Sequence, residues 1–577
     1  MRTFILALAV AGVLAGPAEA ADFSVYPSPH AHFAAPGTQI SFRGGPPAAI
    51  GSVSVTGSRS GRHTGKLEAH SDGHGASFVP DKAFTPGERV TVRTHDHVAG
   101  ARRGDYGFTV GRPAAVFPSS FTPPAVPKSP LQSFASRRDL APPKVVVSTL
   151  KPGVAPGLIF TATKAGRAHA GPMIFDEHGR LVWFQPMPGH DIATDFRVQS
   201  YQGRPVLTWW QGRQYVGDGA GVGEIYDSSY RQVARVRASG GLRADMHEFH
   251  LTPRGTALIT VYQRDRADLS RYGGPRDGVL VDGIVQEIDV KTGLLLFEWH
   301  SLDHVALSES YVPAPSKSPA QWDYFHINSV DEDSDGDLVV SGRHTWTVYK
   351  IDRATGDVIW RLGGKHSDFK LGPGAKTSWQ HDALVQADGT LTIFDNGAAA
   401  PGPAFRKHTR ALTLRLDTKA QTATLVSAFV HPLGLLSQSQ GNVQRLPNGD
   451  EFVGYGSRRW FTEYSPTGEV LLDGRLAAGN SSYRTYRFPW TGRPAELPRV
   501  VAGRNDVSVS WNGATGVARW QLLAGPGAEG MTPIADVPAT GFETTTPAAT
   551  TPPFVAMRAY DAAGNVLATS APVKLPK

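Results

Sequence analysis

The sequence predicts an all-β protein: a six-bladed β-propeller flanked by two β-sandwiches. Three observations carry this. Of 577 residues, 63 are Gly and 44 Pro, a density of turn formers that breaks long helices and suits many short strands. Both ends of the chain show alternating apolar and polar segments of strand length. Between them a hairpin pattern recurs at about 50 residues, the interval at which repeated β-units stack.

Taken in order, residues 1–20 read as a secretion leader: Arg2, an apolar stretch from Phe4 to Gly16, then Ala18-Glu19-Ala20 as the small-residue cleavage site. The mature chain is expected to start near Ala21, to be secreted or otherwise extracytoplasmic, and not to span a membrane, since no segment approaches 18 apolar residues. The net charge is +7 without a basic run, which argues against a nucleic-acid partner. There is no Cys, so disulfides, thiolate zinc sites and a Cys nucleophile are excluded. Residues 21–115, with segments such as Gly51-Ser52-Val53-Ser54-Val55 and Arg89-Val90-Thr91-Val92, predict the N-terminal β-sandwich. Residues 116–143 carry seven prolines and predict an extended linker packed on a neighbour. Residues 498–577 contain Val507-Ser508-Val509-Ser510-Trp511 and Ala518-Arg519-Trp520-Gln521-Leu522, and these strands resemble a fibronectin type III module, which implies a fibronectin-III-like β-sandwich and a spacer or adhesive role. Contact with a cell surface through the terminal β-domains is a further expectation.

Residues 144–497 are the propeller. One hairpin signature turns at Gly203, Gly255, Gly336, Gly389 and Gly449, at intervals of 52, 81, 53 and 60 residues. A second runs from Ile288-Asp289 to Trp299 and from Ile351-Asp352 to Trp360, with looser copies at Gly179 and Gly468. A Pro/Ser-rich insertion near 307–321 explains the long interval. Five hairpins, with a further blade closed by strands from both ends, make six blades.

Counting back eight residues from each turn glycine gives Asp195, His247, Asn328, His381 and Gly441. Four of the five are polar where a buried innermost strand should be apolar. His326 lies two residues from Asn328 and shares its face by the period of a strand. Counting forward seven residues gives Trp210, Tyr262, Arg343, Asn396 and Gly456. A hairpin brings its open ends together, so one mouth should hold His247, His326, Asn328, Arg343 and His381. A single strand histidine is ordinarily a satisfied structural residue, and Arg343 alone could be a blade-to-blade ion-pair residue. A ring of buried imidazoles, however, is costly unless something polar occupies its middle. Tyr262, Trp210 and Trp379 could line an aromatic pocket or simply pack between blades. His250 and His344 have the opposite parity and should face away. His63, His70, His74, His95 and His97 lack ligand spacing and should face solvent. Asp331, Asp333 and Asp335 have the first half of a calcium-loop pattern, but the twelfth position is Gly342 rather than Glu, so an acidic turn is expected and no cofactor or metal is assigned.

The segments Asp245-Met246-His247-Glu248-Phe249, Phe325-His326-Ile327-Asn328-Ser329, Ser341-Gly342-Arg343-His344, Trp360-Arg361-Leu362-Gly363-Gly364, Trp379-Gln380-His381-Asp382-Ala383 and Phe394-Asp395-Asn396-Gly397, in this order, resemble the arylsulfotransferase family of exported propeller enzymes. The resemblance covers most of 144–497. It implies a site at the central channel and transfer of a sulfuryl group from a phenolic sulfate ester to a phenolic acceptor, without a nucleotide (PAPS) donor. It also implies that His381 is the nucleophile, transiently sulfated, and that His247, His326, Asn328 and Arg343 hold the sulfuryl and phenolic oxygens. The family often has two adjacent His where this chain has Met246-His247, and no late hydroxyl contact or disulfide is evident here, which bears on acceptor range.

Elementary chemistry runs the same way. A neutral imidazole is a nucleophile near neutral pH, and neighbouring cations keep it neutral. A guanidinium, an Asn amide and imidazole N–H groups can hold sulfuryl oxygens, and a second His can move the phenolic proton. The expected site is thus His381, His247, His326 and Arg343 as catalytic groups, with Asn328, Asn396, Tyr262 and Trp379 as substrate-binding ones. Two other readings stay open: a metal-dependent hydrolase with His247, His326 and His381 as ligands, and a noncatalytic secreted binding propeller.

Overall fold

A computed structural model describes residues 23–101, 104–114, 130–164, 170–317, 321–399, 404–548 and 553–576. The expected leader over 1–20, the start near Ala21 and residues 116–129 of the proline-rich stretch lie outside the described residues.

Groups of four to five strands, antiparallel apart from two short edge pairings, follow one another in a ring, the second and third joined into one nine-stranded sheet through Gly221 and Ala244. The second runs Ile192–Tyr201, Arg204–Gln214, Gly219–Tyr226 and Gln232–Val236 from the axis outward. The third, fourth, fifth and sixth begin with Ala244–Leu251, Ile327–Glu332, His381–Val385 and Asn442–Arg445. The first is closed by both ends of the repeat: Ser482–Phe488 is its innermost strand, paired with Leu158–Thr163, then Gly171–Phe175 and Leu181–Phe184. Val145–Leu150 adds a fifth strand to the outer edge of the sixth sheet.

The turn glycines sit where the spacing puts them. Gly203, Gly255, Gly336, Gly389 and Gly449 each join a first strand to a second with φ between +72° and +90°, a conformation that is cheap for glycine and strained for other residues. The sheets are held together by apolar clusters between neighbours rather than by one centre. Ile225, Phe249, Ile259 and Ile284 fill the space between the second and third sheets. Leu258, Phe297, Leu338 and Tyr349 do so between the third and fourth, and Ile159, Phe175, Phe452 and Phe461 between the sixth and first. Each such face buries several side chains worth roughly 1.5–3 kcal/mol apiece relative to exposure.

At the N-terminal end, residues 24–109 form two four-stranded sheets over a shared core that includes Ile40, Phe42, Val55, Val90 and Phe108. This unit is fastened to the third and fourth sheets: Ser71 binds Asp289 through its N–H and hydroxyl, and Tyr26 donates to Arg353 O at 2.5 Å. Two of its histidines correct the sequence expectation. His70 is buried between Ser77 and Arg43, and His63 is buried beside Phe84 and hydrogen-bonded to Ser60. The C-terminal residues 499–574 form a three-stranded and a five-stranded sheet around Val507, Trp520, Val555 and Met557. Ser136 and Phe134 of the preceding segment pack on it through Glu543 and Phe542. No helix among the described residues is long and apolar enough to cross a membrane.

Candidate active site

Three histidines from three different sheets meet at one end of the ring. His247, His326 and His381 are all buried, and one nitrogen of each lies within 4.8 Å of the other two. Their Nδ1 atoms are engaged elsewhere. His247 Nδ1 is 2.5 Å from Asp245 Oδ2, His326 Nδ1 is 2.5 Å from Asp323 Oδ2, and His381 Nδ1 is 2.7 Å from Asn396 Oδ1. An amide oxygen and two carboxylates can only accept, so each Nδ1 carries hydrogen and the converging atoms are the Nε2 nitrogens.

The local backbone explains how they converge. The innermost strands of the second to fifth sheets each break register near the axis: between Thr194 and Arg197, Ala244 and Phe249, Ile327 and Ser329, and His381 and Leu384. Asp195, His326 and Asp382 take positive φ at or beside these breaks (+53°, +53° and +54°). A bulge suspends the alternation of side chains. Consecutive residues therefore both turn inward: His247 and Glu248, and His381 and Asp382.

The second member of each pair serves a buried ion network. Arg484, on the closing strand, reaches Asp195 at 3.0 Å, Glu248 at 3.0 Å and Asp382 at 3.2 Å, and Arg197 reaches Glu248 at 2.6 Å. Tyr486 donates to Asp195 and Arg484 donates to Asn328 O. This network ties the first, second, third, fourth and fifth sheets together next to the imidazoles.

Arg343 and Trp379 close the other side. Arg343 is buried, stacks 5.2 Å from the Trp379 ring centroid, and donates to His344 Nε2 at 2.8 Å and to Gln438 O at 2.9 Å. Its Nε has no hydrogen-bond partner among the described residues. Tyr262 places its ring 5.7 Å from His247 and 5.8 Å from His326 while donating to Ile327 O. Asn396 also donates from Nδ2 to Ser437 O and Gln440 O. Asn328 donates from Nδ2 to Gln380 O, and its buried Oδ1 has no partner among the described residues.

Electrostatics keep two of the imidazoles neutral. Burial first, then the charges of His247 and Arg343, push His326 well below the ordinary imidazole value. Burial, then Arg343 and His247, do the same to His381. Burial lowers Arg343 itself to about 10.

Some expectations need correcting. His344 does not face away: it lies beyond the strand Leu338–Gly342, where alternation no longer applies, and its ring sits 4.6 Å from His326. Of the two readings open for Trp210, it takes the packing one, buried in the cluster between the second and third sheets with Nε1 donating to Ala244 O. Asp195 belongs to the ion network rather than to the imidazole mouth. In the acidic turn, Lys350 Nζ binds both Asp333 and Asp335, and Asp331 accepts Val385 N–H. The sequence reading also missed Lys164, Tyr483, Gln440, Asp323 and Arg484. Of these, only Asp323 left a usable signal, as an acid three residues before a candidate histidine.

Residues 197–477, which contain all three imidazoles and Arg343, match the family described as arylsulfotransferase (ASST). This region belongs to the arylsulfotransferase family. Membership supports arylsulfotransferase activity in general and phenolic substrates. No curated protein matches the chain. Among solved structures, a protein of unknown function from Bacteroides caccae is 12% identical, with 58% of this chain and all of that one covered and a TM-score of 0.35. An auxiliary nutrient binding protein from Bacteroides ovatus is 12% identical, with 86% and 96% covered and a TM-score of 0.28. A catalytically inactive virginiamycin B lyase from Staphylococcus aureus is 8% identical, with 67% and 96% covered and a TM-score of 0.26. In this arylsulfotransferase-family region, a cluster of electron-rich Nε2 atoms beside a guanidinium suits an electrophile that carries negatively charged oxygens.

Proposed function

We propose that the chain is an exported aryl sulfotransferase that moves a sulfuryl group from a phenolic sulfate ester to a phenolic acceptor through a sulfated His381, without a nucleotide donor. The observation that carries this is the convergence of three Nε2 atoms next to Arg343. In the first half-reaction His381 Nε2 attacks sulfur, the N–S bond forms and the S–O bond to the aryl oxygen breaks. His247 enters this step as the imidazolium, its Nδ1–H held by Asp245 and the carboxylate offsetting the charge on the ring, and its Nε2–H gives the leaving oxygen a proton, which leaves the ring neutral. In the second, the neutral His326 accepts the proton of the incoming phenol while the phenol oxygen attacks sulfur and the N–S bond to His381 breaks, and passage of that proton from His326 to the neighbouring His247 ring restores the starting protonation.

Arg343 Nε–H and the Asn328 Nδ2 hydrogen not given to Gln380 O are the donors proposed for the sulfuryl oxygens. In the resting structure Gln440 N–H donates to His381 Nε2 at 3.1 Å. Nucleophilic attack exchanges that bond for N–S, which frees the amide to donate to a sulfuryl oxygen. Asn396 fixes the tautomer that leaves Nε2 bare, and Tyr262 and Trp379 offer aromatic faces to the phenolic ring. The leader-like start supports export, and the two terminal sandwiches are proposed as its cell-surface contacts.

The test is incubation with 4-nitrophenyl sulfate, with and without phenol, followed by mass spectrometry of the peptide containing His381. A sulfated peptide that disappears on adding phenol, and never forms in His381→Ala, is expected. Transfer by His381→Ala at the parent rate removes the assignment.

The same three imidazoles support a second reading, since Nδ1–H groups held by acceptors are also how metal-binding histidines are oriented. The cation Arg343 beside them weighs against a bound cation.

A further inference from the structure

Lys164 follows the strand Leu158–Thr163, which pairs with the closing strand. Its side chain runs inward and is 5% exposed. Nζ donates to Gln440 Oε1 at 2.7 Å and lies 5.6 Å from the centroid of the Tyr483 ring. Tyr483 in turn faces His247 at 5.5 Å and His381 at 6.5 Å, and the backbone of Gln440 is the group bonded to His381 Nε2. Two short routes therefore join Lys164 to the reacting nitrogen.

A buried ammonium is expensive unless a counter-charge meets it. Here the acceptor is a neutral carboxamide, and burial acts on the charge without an opposing carboxylate, drawing the pKa down to about 7. Arg343 likewise ends on uncharged acceptors, His344 Nε2 and Gln438 O, although Asp323 attracts it through space. Two buried cations thus rest on uncharged acceptors, and both touch the segment Gln438 to Gln440. The nearby carboxylates Asp245 and Asp323 are committed to imidazoles.

We propose that Lys164 is a second anion-binding cation of the site, releasing Gln440 Oε1 to hold an oxygen of the bound sulfate ester. This rests on the sulfuryl-transfer reading. It adds a device to it: releasing the Gln440 side chain loosens the same residue whose N–H covers His381 Nε2, so donor binding and uncovering of the nucleophile are linked.

The experiment compares the full chain with K164M, K164Q and K164R. It measures 4-nitrophenyl sulfate turnover with phenol, binding of inorganic sulfate by calorimetry, and thermal stability. In K164M and K164Q the donor KM and the sulfate dissociation constant should rise about 10- to 100-fold, the loss of one hydrogen bond to a charged group. The KM for phenol should stay within about twofold, and the melting temperature should not fall, because a buried charge has been removed. K164R should keep sulfate affinity.

The pH dependence separates this from a structural role. The titratable and charged groups around the ammonium are Tyr483 and Arg484 on the closing strand and His381 beyond Gln440. Only the protonated amine binds an anion, so the parent's donor kcat/KM should decline as pH rises through neutrality. K164M should lack that limb and K164R should show it only at higher pH. An active parent whose K164M variant keeps the donor KM, sulfate affinity and pH profile overturns the Lys164 assignment alone. A parent that binds sulfate through Lys164 yet transfers nothing overturns the sulfuryl-transfer reading and leaves the anion site standing. A parent that does neither overturns both.

Discussion

Replacing Asp382 by Asn tests the buried ion network against which the imidazoles are assembled. Arg197 and Arg484 face three carboxylates, Asp195, Glu248 and Asp382. Two positive charges cannot neutralise three negative ones in a fully buried setting, so one carboxyl should retain its proton. Burial opposes ionisation of Glu248, but Arg484 and Arg197 outweigh it and hold that group below its ordinary value. Burial pushes both Asp195 and Asp382 up, and for Asp382 it outweighs the attraction of Arg484 and raises the group from 3.8 to about 6.

The sign follows from proton counts. Between about pH 4 and pH 6 the folded chain holds this proton and the unfolded chain has lost it, so stability falls as pH rises through that window and stays lower above it. At 1.36 kcal/mol per unit, a shift of about two units makes the loss about 3 kcal/mol. The carboxamide of the D382N variant cannot ionise and escapes the loss. D382N should match the parent at pH 4.5 within about 1 kcal/mol and exceed it by up to about 3 kcal/mol at pH 7.5. Urea denaturation followed by tryptophan fluorescence reads this as a midpoint shift of about 1 M, taking a slope of about 3 kcal/mol/M for a unit of this size. A D382N variant that is less stable than the parent at pH 7.5, and more so than at pH 4.5, would show that Asp382 is an ionised partner of Arg484 and refute the reasoning.

Asn396→Ala should lower turnover of 4-nitrophenyl sulfate by about 10- to 100-fold with little change in donor KM, since it removes the acceptor that orients His381 rather than a substrate contact; steady-state release of 4-nitrophenol checks this. Because burial and Arg343 hold His381 below 6.5, and the neutral ring is the active form, donor kcat/KM should stay flat as pH falls through 6.5. In Arg343→Met its acid limb should move upward, seen in a pH–rate series. EDTA should leave transfer unchanged, with no stoichiometric metal by elemental analysis; loss on chelation that zinc restores would favour the metal reading.

Much of this arrangement could be read from residue spacing. The turn glycines at 203, 255, 336, 389 and 449 located five hairpins because a left-handed turn position constrains residue type directly. The polar residues His247 and His381 stood out because a strand buried on both faces has little reason to carry them. What escaped was whatever depends on the inner-strand bulges. Period-two alternation puts Glu248 and Asp382 away from the axis, yet both sit in the ion network, and it turns His344 away from Arg343, which it contacts. Lys164 and Tyr483 escaped for a different reason: they come from the sheet closed by both ends of the repeat, which has no glycine-marked hairpin between its two innermost strands. Their proximity to His381 is a property of ring closure and has no local signature.

The bulges also account for where chemistry can occur on this fold. A regular innermost strand would present alternate residues to the channel and bury the others between sheets, giving one functional side chain per two residues. At His381-Asp382 the break delivers two in succession: the first joins the reactive cluster and the second is pinned by Arg484 and Val443 N–H. Left-handed geometry at a non-glycine residue costs on the order of 1–3 kcal/mol, and it recurs at Asp195, His326, Trp379, Asp382 and Gln440. Gly441 shows how tightly the last of these is held, because a Cβ there would lie 2.2 Å from the Phe394 ring. These five are half of the ten left-handed non-glycine residues among the described residues, and they lie beside His381, its covering amide and Arg343, where the Arg484 network supplies interactions that help to hold them. Loosening that network should therefore affect the geometry of His381 before it affects the outer strands, which share none of these contacts.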